Sequence, residues 1–587
     1  MSILIKNRTR NDRLFKLALE AGVSPLLAHI VACRLTEFAG DINSIIKPGL
    51  KYIDRPALLK DSDKAAERIA RAIMAAERIG IATDYDVDGV TSHAVIQRAL
   101  TEYFRFPAPR IDNLIGHRVK DGYGISEGLT ARILAQPELP AVIITADCGS
   151  SDNPRIARLK AAGIDVIVTD HHAMPLEGIP AAAYAVINPS RQDCHYPDDT
   201  IAGCMTAWLL MSHVRNKLID LGYLPPDSPK LARELDYVSL GTVADCVSIG
   251  TATNRAVVTI GLNYLNRFER PCWRAMRTLL DKKNHVFNAE DLGFQIGPRI
   301  NARSRMADPY AALKYLLADD DQAAMHYLSI LDVDNRDRRK TERQMVETAS
   351  QEAYQQVLQG RSSLVIYLQD GHAGVQGIVA ARLAQSFGRP TVVLCNASDP
   401  EQLTGSSRSI PSLHIRDALQ QVADWQPGLF IKFGGHQGAA GFTVYQSGLT
   451  VLHELFERAV TLQLGNTELA PTLWTDGILA TEAISLKTFE ELEQLQPYGR
   501  EFEAPVFENT FEVISLRAVG AEAIHLSLAL RAADGIYKAI WFRALEAESD
   551  PYPLTPGDTA RCAFSLALNE FRGARTLNLV IQHACKA

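Results

Sequence analysis

The residues Ile79-Gly80-Ile81-Ala82-Thr83-Asp84-Tyr85-Asp86-Val87-Asp88-Gly89 pass from an apolar run to three alternating carboxylates. The apolar half reads as a buried strand. Gly89 then turns the chain into Val90-Thr91-Ser92-His93-Ala94-Val95-Ile96, which reads as a helix. Asp84, Asp86 and Asp88 lie close in space however the turn folds, and ionised carboxylates this close repel. A divalent cation relieves that repulsion, and hard oxygen ligands suit Mg²⁺ or Mn²⁺. A solvated acidic turn accounts for the same residues. The run also resembles a calcium loop, but Val95 stands where that loop needs its bidentate Glu, and a strand rather than a helix precedes it.

Further along, the pattern recurs. Ala141-Val142-Ile143-Ile144-Thr145 is an apolar β-branched run ending at Ala146-Asp147-Cys148-Gly149, and Ile164-Asp165-Val166-Ile167-Val168-Thr169 ends at Asp170-His171-His172. Helical stretches separate these runs, which is the signature of a parallel α/β sheet. In such sheets the ligand crevice lies outside the C-terminal strand ends. Asp84, Asp86, Asp88, Asp147, His171 and His172 are therefore expected on one rim. A lone strand-end Asp is usually a helix cap or turn former, but three such ends sharing a rim point to a site. Asp245, after the apolar Leu235–Leu240 and the turn Gly241-Thr242-Val243-Ala244, is a candidate for the same rim; an N-cap is its alternative reading.

With 587 residues the chain is too long for one core, so several domains are expected. A net charge of −7 does not advertise a nucleic-acid binder, but sequestered acids mask local basic groups. The 9 cysteines include no C-x-x-C pair, which removes zinc-ribbon and thioredoxin readings and suits a reducing compartment. The N-terminus lacks a signal-peptide pattern and no run is long enough to span a bilayer, so a cytoplasmic protein is expected, with no membrane partner.

A charge-rich helix is expected from about Asp319 to Leu358, spanning some 60 Å, with Arg336, Arg338, Arg339, Lys340 and Arg343 on a solvated face. A second α/β lobe follows, carrying Gly405-Ser406-Ser407-Arg408 and Gly434-Gly435-His436. After about Pro471 some five short β-like runs fit a small barrel such as an OB-fold. Trp541, Phe542 and Phe571 offer stacking surfaces for unpaired bases; alternation along a strand requires one of Trp541 and Phe542 to be core.

The quartet Asp84-Tyr85-Asp86-Val87-Asp88-Gly89, Ala146-Asp147-Cys148-Gly149, Asp170-His171-His172 and Gly241-Thr242-Val243-Ala244-Asp245 resembles the DHH phosphoesterases. More narrowly the chain resembles the RecJ single-strand-specific 5′→3′ exonucleases. Further marks are Asp121-Gly122-Tyr123-Gly124, Ile187-Asn188-Pro189, Gly297-Pro298-Arg299-Ile300-Asn301-Ala302, Gly374-Val375-Gln376-Gly377-Ile378 and Gly434-Gly435-His436-Gln437-Gly438. Departures are Arg303-Ser304-Arg305 where the family continues Ala-Gly-Arg, Gly371 in place of an aromatic, and Thr83 in place of a Gly; none removes a metal-ligand candidate.

Residues 1–60 read as a helical N-terminal segment and 319–360 as a connecting helix; from about Ile79 onward the resemblance implies an α/β fold, with 61–318 a parallel-sheet DHH domain, 361–465 a smaller DHH-associated domain and 466–587 an OB-fold-like β-barrel. It implies two divalent ions, Mn²⁺ or Mg²⁺, on Asp84, Asp86, Asp88, Asp147, His171 and Asp245, with His172 on the phosphate. A water of lowered pKa then attacks in line, without a Ser or Cys nucleophile. Ser406 and Arg408 are expected to hold a terminal 5′ phosphate, Arg118, Arg299 and Arg305 backbone phosphates, and His436 to face ligand. Single-stranded DNA is the implied partner of a monomer, with a single-strand-binding protein and a helicase beside it, in DNA repair and recombination. A phosphoesterase for oligonucleotides, cyclic dinucleotides or pyrophosphate needs no strand-binding barrel, and a metal-free scaffold has no reason to keep a repulsive acid cluster.

Overall fold

The computed structural model describes residues 3–117, 121–281, 286–306, 309–546, 549–571 and 574–587, and side chains within them except at 305, 306, 570, 571 and 574. The chain divides into two units. One comprises Thr9–Asn335 with Ser485–Pro505; the other comprises Met1–Arg8, Arg336–Ile484 and Val506–Ala587.

The first unit is built on a five-stranded sheet in the order Ile111–Ile115, Ile79–Thr83, Val142–Ala146, Asp165–Thr169, Ala185–Ile187. All its pairings are parallel. Alternate side chains enter two separate cores. Ile79, Ile81, Val142, Ile144 and Ile167 pack on one side with the helices Val87–Arg98, Gly203–Asp220 and Leu235–Ala244. Ala82, Leu114, Ile143, Val166 and Val168 pack on the other with Leu129 and Ile133 of helix Glu127–Leu134 and Ile156 and Leu159 of helix Asn153–Ala161. Continuous apolar runs are what a sheet covered on both faces requires.

Two local readings change. The helix after the acid cluster starts at Val87, not Val90, with Asp86 as its N-cap, so Asp88 lies in its first turn. The apolar run before Asp245 is a helix, Leu235–Ala244, and Asp245 is its C-cap residue, which excludes the N-cap reading.

The second unit holds a mixed sheet in the order Phe430–Gly435, Ala439–Tyr445, Gln402–Arg408, Thr391–Asn396, Leu364–Leu368. It also holds a closed barrel of Phe507–Val519, His525–Ala532, Gly535–Trp541, Ala574–Lys586 and Thr559–Phe571. A short strand, Leu4–Asn7, pairs in parallel with Thr472–Thr475. The start of the chain therefore differs from the all-helical expectation and belongs to this second unit. Helix Asp321–Leu358 has 38 residues and carries the division between the units. Its basic run is not wholly solvated: Arg338 is buried and donates to Glu342 at 2.7 Å, which also pairs with Arg382. No helix among the described residues is long and apolar enough to cross a membrane.

Candidate active site

At the C-terminal edge of the parallel sheet, Asp84 follows strand Ile79–Thr83, Asp147 follows Val142–Ala146, and His171 and His172 follow Asp165–Thr169. Asp86 accepts from the Gly89 amide at 3.1 Å, which caps the helix and turns Asp88 back over the sheet. A side chain at Gly89 would put its Cβ 2.3 Å from the Asp84 carbonyl oxygen, so the turn demands glycine.

Asp88 is held from the opposite side. The amides of Gly203 and Cys204, at the start of helix Gly203–Asp220, donate to its two carboxylate oxygens at 2.6 and 2.9 Å. A helix N-terminus is the natural place for a buried anion. A Cβ on Gly203 would lie 2.8 Å from Asp147 Cβ and 2.9 Å from Asp88 Oδ2. Asp245 reaches the rim from its helix C-terminus, a route that sequence periodicity did not reveal.

His171 Nε2 lies 3.2 Å from Asp147 Oδ1, 3.6 Å from Asp245 Oδ2 and 3.7 Å from Asp88 Oδ2. Three sets of potential ligand atoms each lie within 4.8 Å of one another: Asp84, Asp86 and Asp147; Asp88, His171 and Asp245; Asp147, His171 and His172. Asp147 Oδ1 and His171 Nε2 are buried and have no hydrogen-bond partner among the described residues. Asp147 sits at φ +60°, a strained backbone for an L residue, of the kind that clusters at functional sites. Burial, then the carboxylates of Asp88, Asp86 and Asp84, push its pKa well above the usual carboxylate range. Burial, then Asp88 and Asp86, does the same to Asp245. Orphaned ligand atoms and mutually repelling acids are what a site for divalent cations leaves when only its protein groups are counted.

The two neighbouring histidines are held in opposite states. Burial lowers the pKa of His171 despite nearby Asp88, favouring the neutral imidazole that ligates metals. His172 also meets a burial cost, but its hydrogen bond and charge attraction to Asp170 outweigh it and hold it as a cation, with its pKa pushed up to about 9. Asp170 in turn accepts from the amides of Ser150, His171 and His172 at 3.0, 2.8 and 3.2 Å. Tyr123 crosses above them; its hydroxyl donates to the Asp147 carbonyl at 3.1 Å and lies 3.3 Å from His172 Nε2.

Of the expected phosphate-binding arginines, Arg299 is buried, and its guanidinium is engaged by Asp332 at 2.9 Å and the Gln295 carbonyl at 2.6 Å. That corrects its reading as a backbone-phosphate contact: burial and pairing make it a tie between helices Gly297–Met306 and Asp321–Leu358. Arg303 pairs with Asp334 at 3.1 Å. Asn301, from the same motif, accepts from the Val87 amide at 3.1 Å and so steadies the acid-bearing turn. Arg118, and the side chains of Arg305 and Phe571, lie outside the described residues.

In the second unit, Arg408 is half-buried at the end of strand Gln402–Arg408 and donates to Ser406 Oγ at 3.1 Å and the Ser407 carbonyl at 2.8 Å. No carboxylate among the described residues pairs with it, and burial alone lowers its pKa. A Cβ on Gly377, in the first turn of helix Gln376–Phe387, would meet Arg408 Nη2 at 2.9 Å and Ser406 Oγ at 3.0 Å. The first turn of that helix, the Ser406 hydroxyl and the Arg408 guanidinium thus lie side by side. His436 is exposed in the turn between Phe430–Gly435 and Ala439–Tyr445. In the barrel, Trp541 is 8% exposed and Phe542 57%. Trp541 is therefore core, edge-on to His583, which corrects its reading as a stacking platform; Phe542 is the outward aromatic.

Three family models match the chain: the DHH family N-terminal domain over residues 78–242, the DHHA1 domain over 360–462 and the RecJ OB domain over 475–583. The single-stranded-DNA-specific exonuclease RecJ of Dickeya dadantii is 34% identical over 534 residues, 90% of each chain. That of Escherichia coli is 32% identical over 576 residues, 96% of each chain. The chain belongs to the RecJ family. The crystal structure of Thermus thermophilus RecJ with Mn²⁺ superimposes with a TM-score of 0.79 at 23% identity, covering 100% of this chain and 80% of that one. A crystal structure of exonuclease RecJ bound to manganese gives a TM-score of 0.56 at 26% identity over 70% of this chain and 98% of that one.

Against this RecJ background, sequence reasoning missed Asp170 as the partner of His172, Gly203 as the cradle of Asp88, and Tyr123 over the histidines. A glycine after Ile201-Ala202 carries no local signal of the carboxylate above it. Asp170 and Tyr123 stood within quoted motifs, and only their contacts assign them work.

Proposed function

We propose that this chain is a metal-dependent exonuclease that hydrolyses single-stranded DNA from the 5′ end to mononucleotides. The observation that carries the reading is the convergence of five carboxylates and one neutral histidine on a single rim with orphaned ligand atoms. Membership of the RecJ family and the manganese named for the 26%-identical RecJ structure support it.

Asp84, Asp86 and Asp147 are one ligand set for a divalent cation, and Asp88, His171 and Asp245 a second. When bound, two Mn²⁺ or Mg²⁺ ions supply Lewis-acid stabilisation of the phosphoryl oxygens and a water of lowered pKa. The chain's own contribution is orientation. The helix N-terminus at Gly203 fixes Asp88, and Asn301 fixes the turn that carries Asp86. Cationic His172, tethered by Asp170, is placed to bind a non-bridging phosphate oxygen. The Ser406, Arg408 and Gly377 cradle favours a dianionic terminal phosphate over an internal diester, which supports attack from the 5′ end. Phe542 on the barrel supports binding of unpaired bases. An enzyme restricted to unpaired strand depends on strand separation and protection, which supports a helicase and a single-strand-binding protein as partners of a cytoplasmic monomer.

The test is hydrolysis of 5′-labelled single strand, duplex and pyrophosphate with Mn²⁺. Single-strand cleavage to mononucleotides that Asp147→Asn abolishes is expected. Turnover of pyrophosphate with an inert single strand would overturn the nuclease reading in favour of a small-substrate phosphoesterase.

A further inference from the structure

Residues Ser485–Pro505 fall inside the span of the RecJ OB domain model, yet they belong to the unit that carries the acid rim. What holds them there is a buried cation. Arg255, in helix Ala252–Leu265, donates to the carbonyls of Leu495 at 2.6 Å, Pro497 at 3.0 Å and Ile45 at 2.9 Å. Its guanidinium also lies over the Phe502 ring at 4.0 Å. Arg34 adds a bond to the Glu503 carbonyl at 2.9 Å. Between these anchors Gly499 and Phe502 exchange backbone hydrogen bonds of 3.0 and 3.1 Å, closing a tight turn whose tip is Arg500-Glu501.

That tip meets the rim. The Arg500 carbonyl accepts from the Ile249 amide at 2.9 Å, and Arg500 Nη1 donates to the carbonyl of Cys246, the residue beside Asp245. Nε lies 3.6 Å from Glu501 Oε1. The side chain is 63% exposed. Its charge is one of the groups that favour ionised Asp245 against burial and the neighbouring acids. A rim of carboxylates repels a polyanionic strand, and Arg299 and Arg303 are already spent on Asp332 and Asp334. Arg500 is a cation fixed in place by main-chain bonds, with an open face turned to solvent, so little ordering is lost when it binds an anion.

We infer that Arg500 binds a backbone phosphate of the single strand flanking the scissile bond. The inference rests on the nuclease reading above. It extends the substrate site to a segment that the family match assigns to the barrel.

The test uses the full chain with Mn²⁺ and 5′-phosphorylated single strands in which one non-scissile linkage at a time is a neutral methylphosphonate. Arg500→Ala is compared with Arg500→Gln, which keeps a donor for the Cys246 carbonyl without the charge. On the all-phosphate strand both variants should raise KM by roughly ten- to a hundredfold with kcat changed far less, the loss of one charged contact. The salt dependence of binding should become shallower by about 0.7 in log–log slope, one single-strand phosphate. One methylphosphonate position should cost the wild type this same factor and cost the variants nothing further. Additive losses at every linkage would overturn the inference, as would a shifted Mn²⁺ activation midpoint with undiminished strand affinity, which would make Arg500 a prop for Asp245. If the wild-type protein cleaves no single strand at all, the nuclease reading fails first.

Discussion

His172 Nδ1 donates to Asp170 Oδ1 across 2.8 Å, and this bond separates the roles of two adjacent histidines. His171 faces Asp88, Asp147 and Asp245 and has its pKa lowered by burial, while His172, 3.8 Å from Asp147 Oδ1, is paired with Asp170 and has its pKa raised. Asp170→Asn removes the charge that holds His172 as a cation. Hydrolysis should fall about ten- to a hundredfold, the usual scale for losing such an orienting partner. Calorimetric titration of Mn²⁺ should be little changed. Loss of Mn²⁺ affinity in step with activity would instead make His172 a ligand.

Arg408→Ala removes the guanidinium proposed to hold a terminal phosphate. Bonds to charged groups are worth about 1.5–3 kcal/mol, so cleavage of a 5′-phosphorylated strand should slow roughly ten- to a hundredfold. A 5′-hydroxyl strand, which never makes the contact, should lose much less. Equal losses on the two strands would remove the terminal-phosphate assignment.

The barrel makes a paired prediction. Phe542→Ala should weaken binding of long single strands by about 1–3 kcal/mol, the usual worth of one stacked base, and leave the melting temperature unchanged. Trp541→Ala, cut from a packed interior, should destabilise the barrel by about 3–5 kcal/mol. A Trp541→Ala protein that melts normally but binds poorly would reverse the two roles.

His93 is buried in helix Val87–Arg98 between Thr83 Oγ1 at 3.2 Å and Asn113 Oδ1 at 2.8 Å. Burial pushes its pKa down from 6.5 to about 4. The unfolded chain therefore binds the proton more tightly. The contribution is fully present above pH 6.5 and is lost as pH falls towards 4, by roughly 3 kcal/mol in all. Melting of the catalytic unit should fall less steeply across that interval in His93→Asn than in the wild type. Parallel slopes would show that His93 is protonated without cost. Thr83 Oγ1 is one of the two polar atoms beside this imidazole.

The acid rim was legible because its logic is local. Apolar runs of strand length, each ending in Asp or His, put those residues at one edge of any parallel sheet they form, and the period of two along each strand sends alternate side chains to two cores. The barrel was legible for the same reason, as evenly spaced short runs. What the sequence left open depends on segments far apart in the chain. Asp88 is held by the amide of Gly203, 115 residues away, and the Cys246 carbonyl by Arg500, 254 residues away. Arg299 and Trp541 have the composition of binding residues, but a carboxylate on a distant helix claims the first and the closure of the barrel buries the second. Residue type and spacing set the strands, their direction and the chemistry at their ends. Only packing decided which charges were already spent and which aromatic faced water, because burial and pairing are properties of what the rest of the chain brings alongside.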